Sequence, residues 1–585
     1  ASLREVLGRT LPSHMVPSAF AILGALPLTA HGKVDRRALP DPDPAPVTSG
    51  AGHVAPRTPM EHRIADIWAD VLGLERVGVE DNFFDLGGDS ILSIQVVSRA
   101  RQAGLRLTTK DLFAHQSVAA LATVATAERD EVRAEPVTGS LPLTPIQRWF
   151  FATHTVNPPH FNQSTLLELR QEPDEKALEG ALTALLVHHD ALRTRFTEDG
   201  GEWRGHVPEP ESEVTVLDRH DLSGLAAREA DAAMEKAADA LHADFDLGRG
   251  PLLKAALFRL GAGRRPFLFL TAHHLVIDGV SWRILLDDLD IAYQQGVRGE
   301  PVDLGSRTTA FRDWARGLAE HVAGGALDHE ADHWCGTLDA RPLPVDHQVA
   351  APGAEIRTVP VELDERDTEA LLRSAPTAYR TRINDVLLAA LALALSRWTG
   401  QERVSVELEG HGREDILDGV DLSRTVGWFT TMYPVSFELP DIPEGGPADW
   451  RGLVKSVRRR LRTVPGNGFG FGALRAFGPP ELRERLSRHG AGPQIVFNYL
   501  GQWDARSARV QGGLVHAEHG SFGQDHDPRE GGSHLLEVVG AVQDGRLGFT
   551  WRYRPDVHEK ATVEAVAGDF AEALRRIAED CRGAV

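Results

Sequence analysis

Two breaks in the chain constrain its fold more than any other feature of the sequence. The first runs from Pro40 to Gly52 and is rich in proline and small residues, too stiff and too polar to pack as a helix or a strand. The second is the charged segment from Glu128 to Glu135, which leads into Pro136. A chain of 585 residues is expected to hold about three to five domains. These breaks therefore predict separately folded units.

Charge and composition exclude several classes of protein. Acidic residues outnumber basic ones, 84 to 63, and a surface of that sign repels nucleic acids and anionic lipids. Cys335 and Cys581 cannot supply a disulfide framework or a structural zinc site, which favours a reducing, cytoplasmic location. The longest apolar run, Val386 to Leu395, is about half as long as a membrane span requires. No nucleic-acid partner, membrane segment, metal ion or redox cofactor is expected.

The segment between the two breaks reads as a small all-α unit. From Thr58 the apolar residues recur at three- and four-residue spacing, and a second helix is predicted to begin at Ser90. In that helix Ile91, Ile94 and Val97 form one apolar stripe, predicted to be buried. Shorter helices are predicted over residues 110–114 and 118–126.

The remaining residues, 141–585, mix strand-like and helical patterns. Phe267 to Thr271 and Val404 to Leu408 read as strands, whereas Asp385 to Trp398 reads as a helix. The proline-rich stretch from Arg341 to Gly353 breaks both periodicities and is the predicted lobe boundary. The fold class is therefore multidomain, with a helical unit followed by a two-lobed α/β or α+β domain.

Ser90 stands at the start of its predicted helix in the sequence Asp-Asn-Phe-Phe-Asp-Leu-Gly-Gly-Asp-Ser-Ile, residues 81–91. Glycines let the backbone approach a bulky group, and a helix N-terminus favours a phosphate. A plain N-cap serine is the alternative. The whole string resembles the carrier-protein motif of nonribosomal peptide synthetases. The resemblance implies a four-helix carrier, 4′-phosphopantetheine attached covalently to Ser90 by a phosphopantetheinyl transferase, and an Asp89 typical of carriers that precede an epimerization domain.

The first 40 residues resemble the tail of an adenylation domain, in the stretches 11–17 and 27–36. In that family the position of Lys33 contacts the acyl-adenylate, but this chain lacks the large adenylation core, so Lys33 has no such role here. The core is expected as an upstream partner. The chain begins Ala-Ser-Leu-Arg-Glu, with neither an initiating methionine nor a signal peptide, which suggests a piece of a longer polypeptide.

Two histidine pairs are candidates for catalysis. His188-His189-Asp190 follows a helical apolar pattern, and we assign that pair a structural role. His273-His274 follows a predicted buried strand, at a strand end where a partly desolvated imidazole can act as a general base. Two core histidines bonded to the backbone are the alternative for this second pair.

The sequence from His273 to Trp282 resembles the signature of the condensation and epimerization superfamily of these synthetases. The resemblance implies that His274 is the reacting residue. His273 and Asp278 are expected to hold the loop, Asp278 through a buried charge pair. The supporting positions of the motif are Gly279, Ser281 and Trp282.

A second acid/base candidate distinguishes epimerization from condensation. Epimerization removes a proton from one face of Cα and delivers one to the other, and it requires stabilisation of the charge formed between the two steps. Glu409 follows a predicted strand in Glu-Gly-His-Gly-Arg-Glu, residues 409–414, which otherwise reads as a polar turn. This sequence resembles the epimerization-specific motif, which implies that Glu409 is the partner of His274 and that Arg413 supports the site.

Three later segments, 424–435, 464–472 and 497–502, resemble further epimerization motifs. The resemblance places Asn498 and Tyr499 in the active site, where a tyrosine hydroxyl could donate to the developing oxyanion. A buried tyrosine that only satisfies its own hydroxyl is the alternative for Tyr499.

The sequence thus predicts an enzyme of nonribosomal peptide and antibiotic synthesis that epimerizes an aminoacyl or peptidyl thioester on its own carrier. Peptide-bond formation by a condensation domain and a non-catalytic gatekeeper that binds the carrier are the alternatives. A downstream condensation domain is the expected partner, and the epimerization domain is expected to have the two-lobed fold of chloramphenicol acetyltransferase. The predicted units are an adenylation tail (1–40), a linker (41–56), a peptidyl carrier domain (57–128), a second linker (129–140), and the two lobes of the epimerization domain (141–345 and 346–585).

Overall fold

The computed structural model describes residues 54–84, 86–88, 90–127, 136–211, 216–261, 263–338, 340–347, 356–439, 449–488, 492–502 and 513–583. Several predictions fall outside these ranges: the adenylation tail over 1–40, residues 41–53 of the first linker, Asp89, residues 129–135 of the second linker, and residues 348–353 at the lobe boundary.

The helical unit, residues 54–127, has its helices where the periodicity predicts them. The first helix begins after Thr58, whose hydroxyl accepts a hydrogen bond from the backbone N–H of Glu61 (3.1 Å). Trp68 and Phe83 meet edge to face in its core, 5.0 Å between ring centroids. The fourth helix is shorter than predicted because the chain turns back into a strand pair. The elements are α1 (Pro59–Leu72), α2 (Ser90–Gln102), β1 (Leu105–Arg106), α3 (Thr109–Ala114), α4 (Val118–Leu121) and β2 (Thr126–Ala127).

The rest of the chain alternates helices and strands. Its strands are β3 (Gly139–Leu141), β4 (Asn162–Leu169), β5 (Arg195–Asp199), β6 (Glu202–Val207), β7 (Leu217–Asp221), β8 (Leu253–Arg259), β9 (Phe267–His273), β10 (Arg357–Glu362), β11 (Arg403–Gly410), β12 (Thr431–Glu438), β13 (Ile495–Gln502), β14 (Val515–Glu518), β15 (Leu536–Gln543) and β16 (Arg546–Tyr553). Its α-helices are α5 (Pro145–Thr153), α6 (Glu175–His188), α7 (Ala227–Ala243), α8 (Gly279–Val297), α9 (Phe311–Ala323), α10 (Ala331–Thr337), α11 (Glu365–Glu369), α12 (Ala375–Tyr379), α13 (Ile383–Thr399), α14 (Trp450–Leu461), α15 (Phe469–Phe477), α16 (Pro480–Arg488) and α17 (Lys560–Gly583).

Two sheets define the two lobes. The N lobe is built on a five-stranded sheet in the order β14-β4-β9-β8-β7, and the C lobe on a six-stranded sheet in the order β10-β16-β15-β13-β11-β12. The strands predicted around residues 267–271 and 404–408 are confirmed as β9 and β11, and the helix predicted over 385–398 is confirmed as α13.

The lobes interlock and are not separated by one cut in the sequence. Strand β14 comes late in the chain but pairs with β4 of the N lobe, so the second half of the domain contributes to the first sheet. Val426, Trp428 and Phe429, which precede β12, are buried in the N-lobe core. These two segments therefore cross the division predicted at residue 345.

The longest apolar run lies in α13, where every residue from Val386 to Leu395 is buried. It contacts α14 and α17 in the C-lobe core, the environment expected for a helix that is apolar on all sides. Among the described residues, no helix has the length and apolar character needed to cross a bilayer.

Candidate active site

His274 lies at the C-terminal end of β9, in the short turn that leads into α8. Its backbone N–H donates to the carbonyl of Phe161 (2.9 Å), because β9 pairs with β4 in the register that puts Asn162 opposite His273. The sheet thus fixes the position of His274 relative to the start of β4.

Two hydrogen bonds fix the ring of His274. Nδ1 lies 2.8 Å from the carbonyl oxygen of Ile277, which can only accept, so Nδ1 carries the proton. Nε2 is then a lone-pair acceptor, and the amide nitrogen of Gln163 donates to it (2.9 Å). The Gln163 amide oxygen in turn accepts from the indole N–H of Trp282 (3.1 Å). Nε2 is therefore the basic atom of His274.

Aromatic rings enclose the imidazole of His274. Trp428 lies 4.2 Å away and Phe161 is stacked at 5.4 Å, both measured between ring centroids. Burial lowers the pKa of His274, against the opposing effect of its backbone hydrogen bonds. A neutral imidazole with a lone pair on one ring nitrogen is the form a general base requires.

His273 is fully buried and its ring makes other contacts than that of His274. Its Nδ1 accepts from the backbone N–H of Leu275 (3.2 Å), and its Nε2 lies 2.8 Å from the carbonyl of Pro158. Burial lowers its pKa to about 3. The geometry is that of a residue that holds the turn in place.

Asp278 caps α8 and joins the lobes. It stands directly before the first helical residue, Gly279, and its carboxylate accepts from the backbone N–H and the hydroxyl of Ser281 (both 2.8 Å). The partner of its buried charge is Arg413, whose Nη2 lies 3.1 Å from Asp278 Oδ1. The same guanidinium nitrogen donates to Ser281 Oγ (3.0 Å), and Nη1 donates to backbone carbonyls of residues 422 and 425. One buried ion pair thus binds the turn after Glu409 to the helix after His274.

Replacing Arg413 with methionine should destabilise the two-lobed domain, called the catalytic domain below (residues 141–585), by about 3–5 kcal/mol, because Asp278 would stay buried without its counter-charge. Arg546→Met is the matched control, since the Arg546–Glu362 pair is half-exposed on both sides and should matter little. The measurement is the unfolding midpoint in urea. Equal midpoints for the two variants would contradict the role given to this ion pair.

The tight turn after β11 depends on Gly412. Its φ is +65°, and a Cβ there would lie 1.7 Å from the carbonyl oxygen of Phe429. Glycine therefore lets the turn pack against the segment that carries Trp428.

Glu409 lies near the end of β11 and faces away from the C-lobe core. Val404, Val406 and Leu408 point into that core, so strand alternation puts Glu409 on the opposite face. Asn498 on the parallel strand β13 donates from Nδ2 to Glu409 Oε2 (2.6 Å). The amide fixes the orientation of the carboxyl group.

Burial, with the carboxylates nearby, raises the affinity of Glu409 for a proton. Burial raises the pKa of Glu409 to about 7, the carboxylate of Glu537 adds to the rise, and His534 opposes it. His534 itself contacts Glu407 (2.6 Å between Nε2 and Oε2). A carboxyl group near pKa 7 can both release and accept a proton at neutral pH.

Tyr499 lies on the other side of the sheet from Asn498. Consecutive residues of a strand face opposite sides, and Tyr499 packs, partly buried, against the C-lobe core with Phe497. This placement favours the alternative of a packed tyrosine over a residue beside Glu409.

Gln163 and Trp428 contact His274 but were not among the predicted site residues. Gln163 belongs to the polar run 162–165 of β4, a weak signal in a strand that leads into the N-lobe core. Trp428 lies inside a segment that the sequence singled out, without a sign of which side chain would reach the histidine.

Ser90 is the first residue of α2, as predicted. Gly88 before it tolerates no side chain, since a Cβ would lie 2.3 Å from the ring of Phe83. The close approach of backbone and ring holds the loop at the helix start, and a helix N-terminus favours a phosphate.

Known sequence families match both the helical unit and the two-lobed domain. The family described as "Condensation domain" matches residues 137–585, which is more than half of the chain. The chain belongs to the condensation-domain family. The phosphopantetheine attachment site family matches residues 62–125, so this condensation-family chain also carries a domain to which 4′-phosphopantetheine is covalently attached.

The condensation-family chain is similar to nonribosomal peptide synthetases along nearly its whole length. One of the linear gramicidin synthase proteins from Brevibacillus parabrevis is 44% identical over 98% of this chain, and tyrocidine synthase 1 from the same organism is 35% identical over 99%. The chain spans 7% of the first of these relatives and 53% of the second.

Solved structures share the two-lobed fold. The epimerization domain from the third module of tyrocidine synthetase B is 32% identical, with a TM-score of 0.69, covering 77% of this chain and all of that one. The first condensation domain of the CDA synthetase is 21% identical, with a TM-score of 0.57 over 76% of this chain and 97% of that one, and shows the fold alone.

Proposed function

We propose that this chain interconverts the L and D configurations at Cα of an aminoacyl or peptidyl thioester held on its own carrier. The observation that carries the proposal is the second acid/base group. Besides the imidazole of His274 in the N lobe, the C lobe supplies Glu409, oriented by Asn498 and with a pKa near neutral. Peptide-bond formation has no need of that carboxyl group.

The 4′-phosphopantetheine on Ser90 would hold the substrate as a thioester, which acidifies the Cα–H. His274 Nε2 and Glu409 exchange the proton on the two faces of Cα, one removing it and the other delivering one. Because the reaction is reversible, both residues act in both directions.

The pair holds one proton before and after each conversion. With His274 neutral and Glu409 protonated, His274 takes the Cα proton on one face and Glu409 gives its own proton to the other face. His274 is then protonated and Glu409 ionised, which is the state that runs the opposite direction. Burial disfavours the protonated form of His274 and favours the protonated form of Glu409, so the first state prevails near neutral pH.

The other parts of the chain fit this reaction. We assign residues 57–128 to the peptidyl carrier domain, with Ser90 as its attachment site, and residues 141–585 to the epimerization domain. An upstream adenylation core would select the amino acid, a phosphopantetheinyl transferase would load Ser90, and a downstream condensation domain would consume the product. The higher identity to a solved epimerization domain than to a solved condensation domain supports the assignment.

A condensation reaction is the second candidate, favoured by the family match itself and by the His274 motif that both activities share. A non-catalytic domain that only binds the carrier is a third.

Chiral analysis of the released amino acid distinguishes these functions. The loaded chain is started with L- or D-aminoacyl thioester, with and without an acceptor carrier, and the cargo is hydrolysed and separated. Epimerization predicts that both starting isomers reach the same L/D mixture without an acceptor. A dipeptide formed only with the acceptor would indicate condensation, and unchanged chirality with normal loading would indicate a gatekeeper.

A further inference from the structure

We propose that the catalytic domain recognises its carrier through a buried arginine, Arg424, which donates a hydrogen bond to a hydroxyl residue on the carrier helix α2. The partner that fits this surface is a carrier helix with a small hydroxyl residue eight positions after the modified serine, followed by arginines in its last turn. The role concerns docking and goes beyond the proposed chemistry.

The apolar part of this surface explains the stripe predicted on α2. Ile94 is buried in the core of the catalytic domain and Ile91 packs against the same core. Val96 and Ala100 of the same helix belong to the core of the helical unit. One helix is therefore buried on two faces, and Ser90 is held next to the catalytic domain through its neighbour Ile91.

The polar centre of the surface is the group Asp288, His189 and Arg424. His189 Nε2 donates to Asp288 Oδ2 (2.9 Å), Arg424 Nη2 pairs with Asp288 Oδ1, and all three side chains are buried. Arg424 Nη1 donates to the hydroxyl of Ser98 on α2 (3.0 Å). Burial would raise the pKa of Asp288, but Arg424 and His189 keep it below its ordinary value, so its charge balances the guanidinium.

His189, one of the pair assigned a structural role, thus belongs to this surface. A buried guanidinium nitrogen that loses its acceptor is left desolvated without compensation, so a helix without a hydroxyl at position 98 should dock less well. The carrier is therefore recognised by a hydrogen bond between a charged guanidinium and a hydroxyl group, which is stronger than a bond between two neutral groups.

Charged pairs surround the centre. Arg99 Nη2 lies 3.4 Å from Asp287, Arg101 pairs with Asp421, and the hydroxyl of Thr109 donates to Asp415 (3.0 Å). The carrier presents the basic end of α2, and the catalytic domain presents carboxylates. Such complementary charges steer association and set partner choice.

Helix α8 connects the docking surface with the base. Asp287 and Asp288 lie in its middle, while Trp282 in its first turn holds Gln163 against His274. Docking and catalysis therefore share one rigid element.

His188, His189 and Asp288 also offer ligand atoms within 4.8 Å of one another, a spacing compatible with a metal ion. A bound cation would compete with Arg424 for Asp288, and the ion pair already present favours docking. Activity measured with added zinc and with a chelator distinguishes a metal site from a docking surface.

The test uses the full chain, loaded on Ser90 with an L-aminoacyl group. Ser98→Arg sets a second positive charge against Arg424, and Thr123→Arg, at an exposed hydroxyl residue after α4, is the matched control. The readout is the epimerization rate of the carrier-bound group divided by that of the same aminoacyl group on free pantetheine. We expect this ratio to fall at least tenfold in Ser98→Arg and to match the unsubstituted chain in Thr123→Arg.

A charge exchange provides rescue. Arg99→Asp should lower the ratio, and adding Asp287→Arg should restore it. Equal ratios in all variants, or an activity that zinc raises and a chelator removes, would overturn the proposal.

Hydrogen–deuterium exchange of α2 and α8 gives a readout independent of activity. Ser98→Arg should speed exchange in both helices while loading of Ser90 stays complete by mass. If the unsubstituted chain epimerizes neither substrate but shows this exchange difference, the proposed chemistry fails and the docking surface stands. If exchange is unchanged, the docking surface fails.

Discussion

Glu409→Gln is expected to slow L-to-D conversion by a factor of about 10²–10⁴, the usual contribution of a positioned acid or base. Glutamine keeps the length of the side chain and an oxygen that can accept from Asn498, so the loss reports proton transfer and not packing. The measurement is the initial rate on the loaded chain, with chiral separation of the product. An unchanged rate would refute the assignment of Glu409.

Glu438→Gln is the matched control, because Glu438 is exposed at the end of the neighbouring strand β12 and should keep full activity. The pH profile adds a second readout. The active pair needs the proton of Glu409, whose pKa is about 7, so kcat/KM of the unsubstituted chain should fall as the pH rises above about 7. The residual activity of Glu409→Gln should lack this limb, since an amide does not ionise.

His274→Ala is expected to cause a loss of similar size, because it removes the ring whose basic nitrogen is positioned by Ile277 and Gln163. His206→Ala, on the exposed face of β6, is the control and should retain activity. The rate is measured in both directions, from L- and from D-aminoacyl starting material. Loss in only one direction would contradict a shared proton, since both directions use the same pair of residues.

A melting curve accompanies each variant. His274 lies in a cluster of aromatic rings, so alanine there leaves a cavity. His274→Gln fills more of that space and should be as inactive as His274→Ala. Activity in the glutamine variant would show that packing, not basicity, explains the alanine result.

The sequence predicts the ends of strands better than it predicts contacts between them. His274 and Glu409 both follow apolar strand patterns, and both lie at the ends of β9 and β11 as expected. The bond from Gln163 and the ring of Trp428 come from segments more than 100 residues away in sequence, and no local period encodes them.

Two other differences between the sequence predictions and the structure have simple physical causes. Asn498 and Tyr499 are neighbours in one strand, and alternation lets only one of them face Glu409. On α2 the apolar period predicts that Ile91 and Ile94 are buried, but it does not say that the catalytic domain covers them.

The pairing of β14 with β4 bears on how such domains can be recombined. A hybrid enzyme that takes its first half from this chain and its second half from another would receive a foreign edge strand for its first sheet. A crossover point between carrier and catalytic domain avoids that conflict, but it places α2 and its arginines against a surface from another chain. Exchange of the whole carrier–catalytic block keeps both requirements satisfied.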